Sequence, residues 1–162
     1  SEWTLYQNET FGYEVKYPQG WTVDADRYEG TSTQIVSPDE NVWIITTVVS
    51  DSRLTEENGF ETVIANIEEG LRQDPRYQVD VFEKQARNTE YLVGGYSTGG
   101  SFQETSGKTY HFEEMGILMK EDAGLVYVIT IHVPNEKTEE YGFSVSEDIF
   151  HTWIQAGCLL WN

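Results

Sequence analysis

Basic residues are scarce in this sequence: ten Lys and Arg stand against 28 Asp and Glu, which gives a formal net charge of −18. Proteins that bind nucleic acid need Lys and Arg to displace counterions from phosphates, and binding to anionic lipid surfaces needs the same positive charge. The composition therefore argues against both kinds of partner. An acidic surface fits a cation, a basic protein partner, or high solubility alone.

Cysteine and long apolar runs are also scarce. Cys158 is the only cysteine, which excludes an internal disulfide and a cysteine-based metal site. It lies in an apolar tail without the nearby base and positive surroundings that a nucleophilic thiol needs. No apolar run approaches the roughly 20 residues of a membrane helix, so we expect no membrane span; a lipid anchor would lie outside the given chain. The length of 162 residues fits a single domain over 1–162.

Motifs for catalysis are missing as well. The sequence has no phosphate-binding loop, no dinucleotide fingerprint and no G-x-S-x-G nucleophile elbow. Adjacent carboxylates such as Glu56 and Glu57 diverge on a helix and do not form an acid/base pair. We therefore assign no catalytic residue and no cofactor, and we expect a protein that is not an enzyme.

The chain is organised around the stretch Phe11–Trp21. Within it, apolar residues alternate with charged ones up to Tyr17, the pattern of a strand with one buried face. Pro18 cannot donate to a strand ladder and Gly20 tolerates a positive φ, so we expect the chain to turn there. Trp21 follows directly and is expected to be buried, anchoring the corner.

The remaining pattern predicts a sheet with two helices. Apolar residues at helical spacing predict a helix from Thr55, as its N-cap, to the stop at Asp74-Pro75. A last helix is expected to open at Ser144 or Ser146. Strands are expected at about 3–5, 13–17, 21–25, 33–35 and 42–49, followed by a four-stranded meander at about 77–86, 90–103, 108–120 and 124–133.

Three strand features carry specific predictions. Val42–Val49 is nearly continuous in β-branched and aromatic residues, as in a strand covered on both faces. Leu125–Val133 is apolar at almost every position, which predicts a central strand. The pairs Gly94-Gly95 and Gly99-Gly100 predict bulges or bends in their strand.

Two histidines and a glutamate form the candidate metal site. His111 and Glu113 lie two apart on one strand and so share a face. If the next turn pairs Lys120 with Leu125, Glu113 lies opposite His132, and the three side chains form a two-His, one-carboxylate site for a divalent metal. A shift of one residue would move His132 to the other face, leaving ordinary polar residues near a sheet edge.

The Phe11–Trp21 motif, preceded by Tyr6 and Asn8 and followed by the predicted strand, helix, meander and closing helix, resembles the PsbP-like superfamily. Its namesake is the extrinsic subunit of the photosystem oxygen-evolving complex, and its fold is shared with a Ran-binding nuclear-import factor. The resemblance implies an α+β fold, an α/β/α sandwich with a central, mainly antiparallel twisted sheet flanked by helices. It also implies an exported, extracytoplasmic protein (periplasmic, cell-surface or lumenal, with a lipoprotein as one alternative) in a non-enzymatic accessory role.

These observations support one leading hypothesis and two alternatives. The leading one is a monomeric, non-catalytic extracytoplasmic binding or accessory module that contacts a protein partner, with a basic partner favoured by charge. Its contact surface would be exposed aromatics rimmed by acids. The first alternative is a zinc- or manganese-binding protein that uses His111, Glu113 and His132. The second, less favoured, is a small hydrolase whose site no motif reveals.

Overall fold

The computed structural model describes residues 2–27, 31–87 and 89–138, with the backbone alone for Asp26 and Arg27. These residues form nine β-strands and one α-helix, together with short 3-10 turns. The strands are β1 (Trp3–Asn8), β2 (Tyr13–Pro18), β3 (Thr22–Arg27), β4 (Ser32–Val36), β5 (Trp43–Ser50), β6 (Tyr77–Ala86), β7 (Leu92–Gln103), β8 (Thr109–Met119) and β9 (Leu125–Pro134), and the helix is α1 (Gly59–Gln73). The last helix predicted from Ser144 or Ser146, and Cys158, lie outside the described residues.

Seven strands form one antiparallel sheet in the order β3-β4-β5-β9-β8-β7-β6, while β1 and β2 form a separate antiparallel pair. The predicted meander is confirmed, because β6 to β9 agree with the predicted ranges to within two residues at every end. β9 is the fourth of the seven strands, and nine of its ten residues are buried. The central position predicted for Leu125–Val133 is therefore confirmed.

Helix α1 covers one face of the seven-stranded sheet, called the helix face below. Its buried residues Phe60, Val63 and Ile64 form one apolar cluster with Tyr96 of β7 and Leu118 of β8. Full burial of an apolar side chain of this size contributes roughly 1.5–3 kcal/mol. The predicted apolar stripe of the helix is confirmed by these contacts.

The opposite face of the sheet is covered by the N-terminal hairpin, which consists of β1, β2 and the turn between them. Tyr13 and Val15 of β2 lie in the same core cluster as Ile44 of β5 and Ile129 of β9. The Tyr13 hydroxyl also lies 2.8 Å from Oγ1 of Thr46, so the hairpin is attached by polar as well as apolar contacts. This second face is called the hairpin face below.

The corner predicted at the end of Phe11–Trp21 is confirmed. Residues of β2 alternate between buried and exposed up to Lys16. Gly20 has a φ of +92°, and the N–H of Trp21 donates to the carbonyl of Pro18 at 3.4 Å. The Trp21 side chain is 8% exposed and belongs to the core of the hairpin face.

The coarser part of the predicted fold class, an α+β fold with an antiparallel sheet, is confirmed. The sheet is antiparallel and carries a helix on one face, but the part of the chain that the structure describes has more sheet and fewer helices than an α/β/α sandwich. On the hairpin face, two strands provide the covering layer. They can do so because the alternation in β2 presents an apolar face that packs on the sheet as a helix stripe would.

The start predicted for α1 is wrong by three residues, because the N-cap is Asn58 and not Thr55. Ser52–Thr55 is a 3-10 turn, and the Thr55 hydroxyl donates back to the carbonyl of Ser52 at 2.8 Å, so it does not cap the helix. The helix begins at Gly59, where an added Cβ would lie 2.0 Å from the carbonyl oxygen of Arg53. This close approach requires glycine. The predicted end is confirmed, since Asp74 is the C-cap.

Two further strand predictions have different outcomes. Register shifts between Leu92 and Gly94, and between Val79 and Val81 opposite the second glycine pair, confirm the bulges. β5 is not covered on both faces throughout, because its residues alternate between buried and half-buried and Val49 is 49% exposed. Its β-branched run reflects an interior place in the sheet order rather than full burial.

Candidate functional site

The predicted metal patch is not assembled by the strand register. Met119, not Lys120, pairs with Leu125, so His132 lies opposite Phe112 and Glu113 lies opposite Ile131. Neighbouring residues of a strand point to opposite faces. His132 therefore lies on the helix face, whereas Glu113 lies on the hairpin face, which is a correction of the expected register by one residue.

His111 and Glu113 do come together. Nε2 of His111 lies 3.4 Å from Oε1 of Glu113, and both side chains are half-buried on the hairpin face. The Glu113 carboxylate raises the pKa of the His111 imidazole above its ordinary value. Among residues 2–27, 31–87 and 89–138, no group of three His, Cys, Asp or Glu side chains is placed to hold a metal ion. Metal binding by this pair stays a prediction.

His132 lies inside a cluster of aromatic rings, called the His132 cluster below. The rings next to it belong to Trp43, Tyr77, Phe102 and Phe112, and Tyr110 joins the cluster by packing on Trp43 and Phe102. The imidazole is 3% exposed, and its centroid lies 5.0 Å from that of Trp43 and 5.1 Å from that of Phe102. Burial lowers the pKa of His132 to about 4, so the ring is neutral at pH 7.

The hydrogen bonds of His132 are incomplete. Nε2 lies 3.3 Å from the hydroxyl of Tyr77, while Nδ1 is buried and has no hydrogen-bond partner among the described residues. Burial raises the pKa of Tyr77 to about 12, so its phenol stays protonated and can donate to Nε2. The partner of the histidine is thus a phenol, not the serine or cysteine of a hydrolase dyad.

A half-buried glutamate next to the His132 cluster was not predicted from the sequence. Glu114 lies opposite Thr130 on the helix face; its Oε2 accepts from the Tyr96 hydroxyl at 2.7 Å and its Oε1 from the Thr130 hydroxyl at 2.9 Å. Burial raises the pKa of Glu114 above its ordinary value. Even so, both oxygens have donors, which makes this group a satisfied polar element of the core. Its one signal in sequence is a glutamate at an inward position of the alternating strand β8.

The outward surface of the N-terminal hairpin carries exposed apolar side chains. Trp3 is 36% exposed and Leu5 is 44% exposed, two positions apart on β1. Opposite them on β2 stand Pro18 and Lys16. Exposed Glu14 and Gln7 continue the same face, where the Gln7 amide donates to the Glu14 carboxylate at 3.3 Å. The resulting surface is an apolar strip with Lys16 beside Leu5 and an acid at one end.

Buried side chains on the inner side of the hairpin hold this strip in place. Asn8 is 9% exposed; its Oδ1 accepts from the N–H of Phe11 at 2.9 Å, and its amide nitrogen lies near the Tyr6 and Tyr13 hydroxyls. The Tyr127 hydroxyl of β9 donates to the carbonyl of Phe11 at 3.1 Å. The turn of the hairpin is therefore fixed to the sheet, and β1 is presented on a rigid support.

Comparison with known proteins identifies the architecture. No protein-family model and no curated protein matches the chain. Cyanobacterial PsbP (CyanoP) from Synechocystis sp. PCC 6803 aligns with a TM-score of 0.59 and 10% identity over 94% of this chain and 91% of that one. LpqN of Mycobacterium tuberculosis, which is involved in cell envelope biogenesis, aligns with a TM-score of 0.63 and 13% identity over 94% and 89%. The chain has the PsbP-like fold.

The PsbP-like fold confirms the resemblance stated from Phe11–Trp21, at an identity where fold does not carry function. The Saccharomyces cerevisiae Ran-binding protein Mog1p matches more weakly, with a TM-score of 0.48, and supports no conclusion. At 15 residues, α1 is too short and too polar to cross a membrane, and no other helix of the described ranges could do so.

Proposed function

We propose that this protein is a non-catalytic, extracytoplasmic binding or accessory module that contacts a protein partner through the outward surface of its N-terminal hairpin. The observation that carries the proposal is the exposure of Trp3 and Leu5 side by side on β1. Tryptophan is enriched at the energetic centres of protein interfaces because it offers a large area at low entropy cost. A rigid support, as Asn8 and Tyr127 provide here, lowers the cost of ordering such a surface on binding.

The charge of the chain favours a basic partner. The described basic residues are largely engaged within the molecule, as in the pairs of Arg53 with Asp51, Arg72 with Glu68 and Arg76 with Asp74. With a net charge of −18, the remaining acids dominate the long-range field. A basic partner would therefore be steered toward the surface, at a rate that falls with added salt.

The extracytoplasmic location rests on two kinds of support. The PsbP-like superfamily, which the Phe11–Trp21 motif resembles, includes many exported proteins. LpqN, one of the proteins with a similar fold, is involved in cell envelope biogenesis. We propose the same side of the membrane for this chain.

The test is affinity capture from the envelope fraction of the source organism with three proteins. Wild type and Tyr91→Ser, which removes an apolar side chain 64% exposed elsewhere, should recover the same protein partner. A double variant, Trp3→Ser with Leu5→Ser, should lose it. Equal recovery by all three proteins, or recovery from cytosol alone, would refute the proposal.

A further inference from the structure

The hydrogen-bonding pattern of the hairpin shows which backbone groups of β1 face away from β2. Trp3 lies opposite Pro18, which has no N–H, and the N–H of Gln19 donates to the carbonyl of Glu2 at 3.1 Å. In an antiparallel pair, hydrogen-bonded and non-hydrogen-bonded positions alternate. Glu2 opposite Gln19 is therefore a bonded position and Trp3 opposite Pro18 is not.

This alternation continues along β1 without a register shift. The N–H and C=O groups of Trp3, Leu5 and Gln7 thus point to the outer edge of the hairpin, which pairs with no strand among the described residues. The same three residues carry the outward-facing side chains. We call this row of backbone groups, with the side chains of Trp3 and Leu5, the β1 edge.

The β1 edge differs from the other strand edges of the molecule. Natural sheets protect their edges with bulges, charged residues or proline. β3 has a register shift after Asp24, β6 has one around Asp80, and the outward positions of β2 hold Lys16 and Pro18. β1 has no charge, no proline and no bulge between Trp3 and Asn8. In the described part of the chain, it is the edge best suited to accept another strand.

We propose that the β1 edge accepts an extended segment of a partner protein as an added strand, with apolar residues beside Trp3 and Leu5 and basic residues between them. Backbone hydrogen bonds and alternate side-chain contacts together define this mode of recognition. The inference rests on the proposed function and names its geometry. Charge selects the partner over a second copy of the chain, since two chains at −18 repel each other, whereas Glu2, Glu9 and Glu14 lie exposed near the hairpin.

The proposal makes a specific statement about the partner's backbone. The added strand runs antiparallel to β1. Because Trp3 and Leu5 offer outward N–H and C=O groups, the residues directly opposite them then form bonded pairs and place their side chains on the same face. Those residues are the apolar ones. The N–H groups of the basic residues point away from β1 and are not needed.

Synthetic heptapeptides of alternating valine and lysine test this statement on the full chain by calorimetry at low salt. The parent peptide should bind, and its valine-glutamate counterpart should not. N-methylation of every valine should weaken binding at least about tenfold, while N-methylation of every lysine should change it by no more than about threefold. Any other pattern, including equal effects of the two methylations, overturns the proposal.

Protein variants separate the proposal from the function on which it rests. Leu5→Lys adds a charge to the β1 edge and should abolish peptide binding, while Tyr91→Lys should retain it. If the double variant Trp3→Ser with Leu5→Ser loses the natural partner but the two N-methylations do not have the expected effects, the binding surface is confirmed and strand addition is refuted. If sedimentation shows a dimer of wild type that Leu5→Lys abolishes, a second copy occupies the edge and the basic partner is wrong.

Discussion

The hydroxyl of Tyr77 on β6 lies 3.3 Å from Nε2 of His132 on β9, so one polar contact spans the two strands between them. The intervening rings belong to Phe102 of β7 and Phe112 of β8, whose centroids lie 4.8 and 4.9 Å from that of Tyr77. The contact therefore depends on a neutral imidazole enclosed by apolar rings. Its stability should follow the protonation of His132.

We expect acid to destabilise the protein through His132. Its pKa falls from 6.5 to about 4 on folding, so between these pH values the unfolded chain binds a proton that the folded one does not. The contribution of His132 to the free energy of unfolding is fully present above pH 6.5 and falls by about 3 kcal/mol as the pH drops to 4. Urea unfolding of wild type and His132→Phe at pH 7, 5.5 and 4.5 measures it. Parallel pH profiles for the two proteins would contradict the prediction.

Glu114 should have the opposite pH dependence. Burial raises its pKa above the ordinary value of 4.5, which the carboxyl has in the unfolded chain. As the pH rises above 4.5, the unfolded carboxyl therefore ionises before the folded one, and the free energy of unfolding falls. Glu114→Gln removes this loss and keeps an oxygen that accepts from Tyr96 or Thr130. The difference in unfolding free energy between Glu114→Gln and wild type should therefore increase with pH. A difference that is constant from pH 4.5 to 7 would show that the carboxyl titrates normally.

Metal binding at the hairpin face should depend on His111 alone among the predicted histidines. Two donors are in place there, and His132 lies on the other face. We expect weak zinc or manganese uptake in calorimetry, lost in His111→Ala and unchanged in His132→Gln. Equal loss in both variants would indicate that the three-residue patch forms after all.

Replacement of Gly116 should destabilise the protein for a steric reason. A Cβ at this position would lie 1.9 Å from Cε1 of Tyr96, which is 1% exposed and stacks on Phe82 at 5.3 Å. Overpacking of a core costs about 1–3 kcal/mol, so Gly116→Ala should lower the free energy of unfolding by that amount. Gly70→Ala is the matched control, because nothing lies within 4 Å of its Cβ and alanine favours the helix by about 0.8–1 kcal/mol. A stabilised Gly116→Ala would refute the steric account.

The strands were largely predictable because the alternation of apolar and polar residues along a strand has a period that packing does not alter. Tyr77–Ala86 was predicted to the residue, and Trp21 was correctly expected in the core. The register between β8 and β9 was not predictable. It depends on the 3-10 turn Glu121–Ala123, where Asp122 and Ala123 both adopt positive φ. Positive φ is uncommon for alanine, so the sequence does not predict this turn.

Trp3 and Trp21 show the same limit of prediction from a local sequence pattern. Trp3 and Trp21 both begin short extended runs, yet one is exposed and the other is buried, because only the second lies beneath the corner that joins the hairpin to the sheet. Likewise, His132 is enclosed by rings from four positions between Trp43 and Phe112. Such neighbours meet only through strand order, which a local pattern does not contain.

The N-terminal hairpin shares no backbone ladder with the seven-stranded sheet in the described residues, so its attachment consists of side chains such as Tyr13 and Tyr127. An element held in this way opens as one cooperative unit, at a lower free energy than the whole domain. Deuterium should therefore enter the amides of β1 and β2 together, and well before those of β9. A docked partner would slow that entry across both strands at once, giving a direct readout of occupancy.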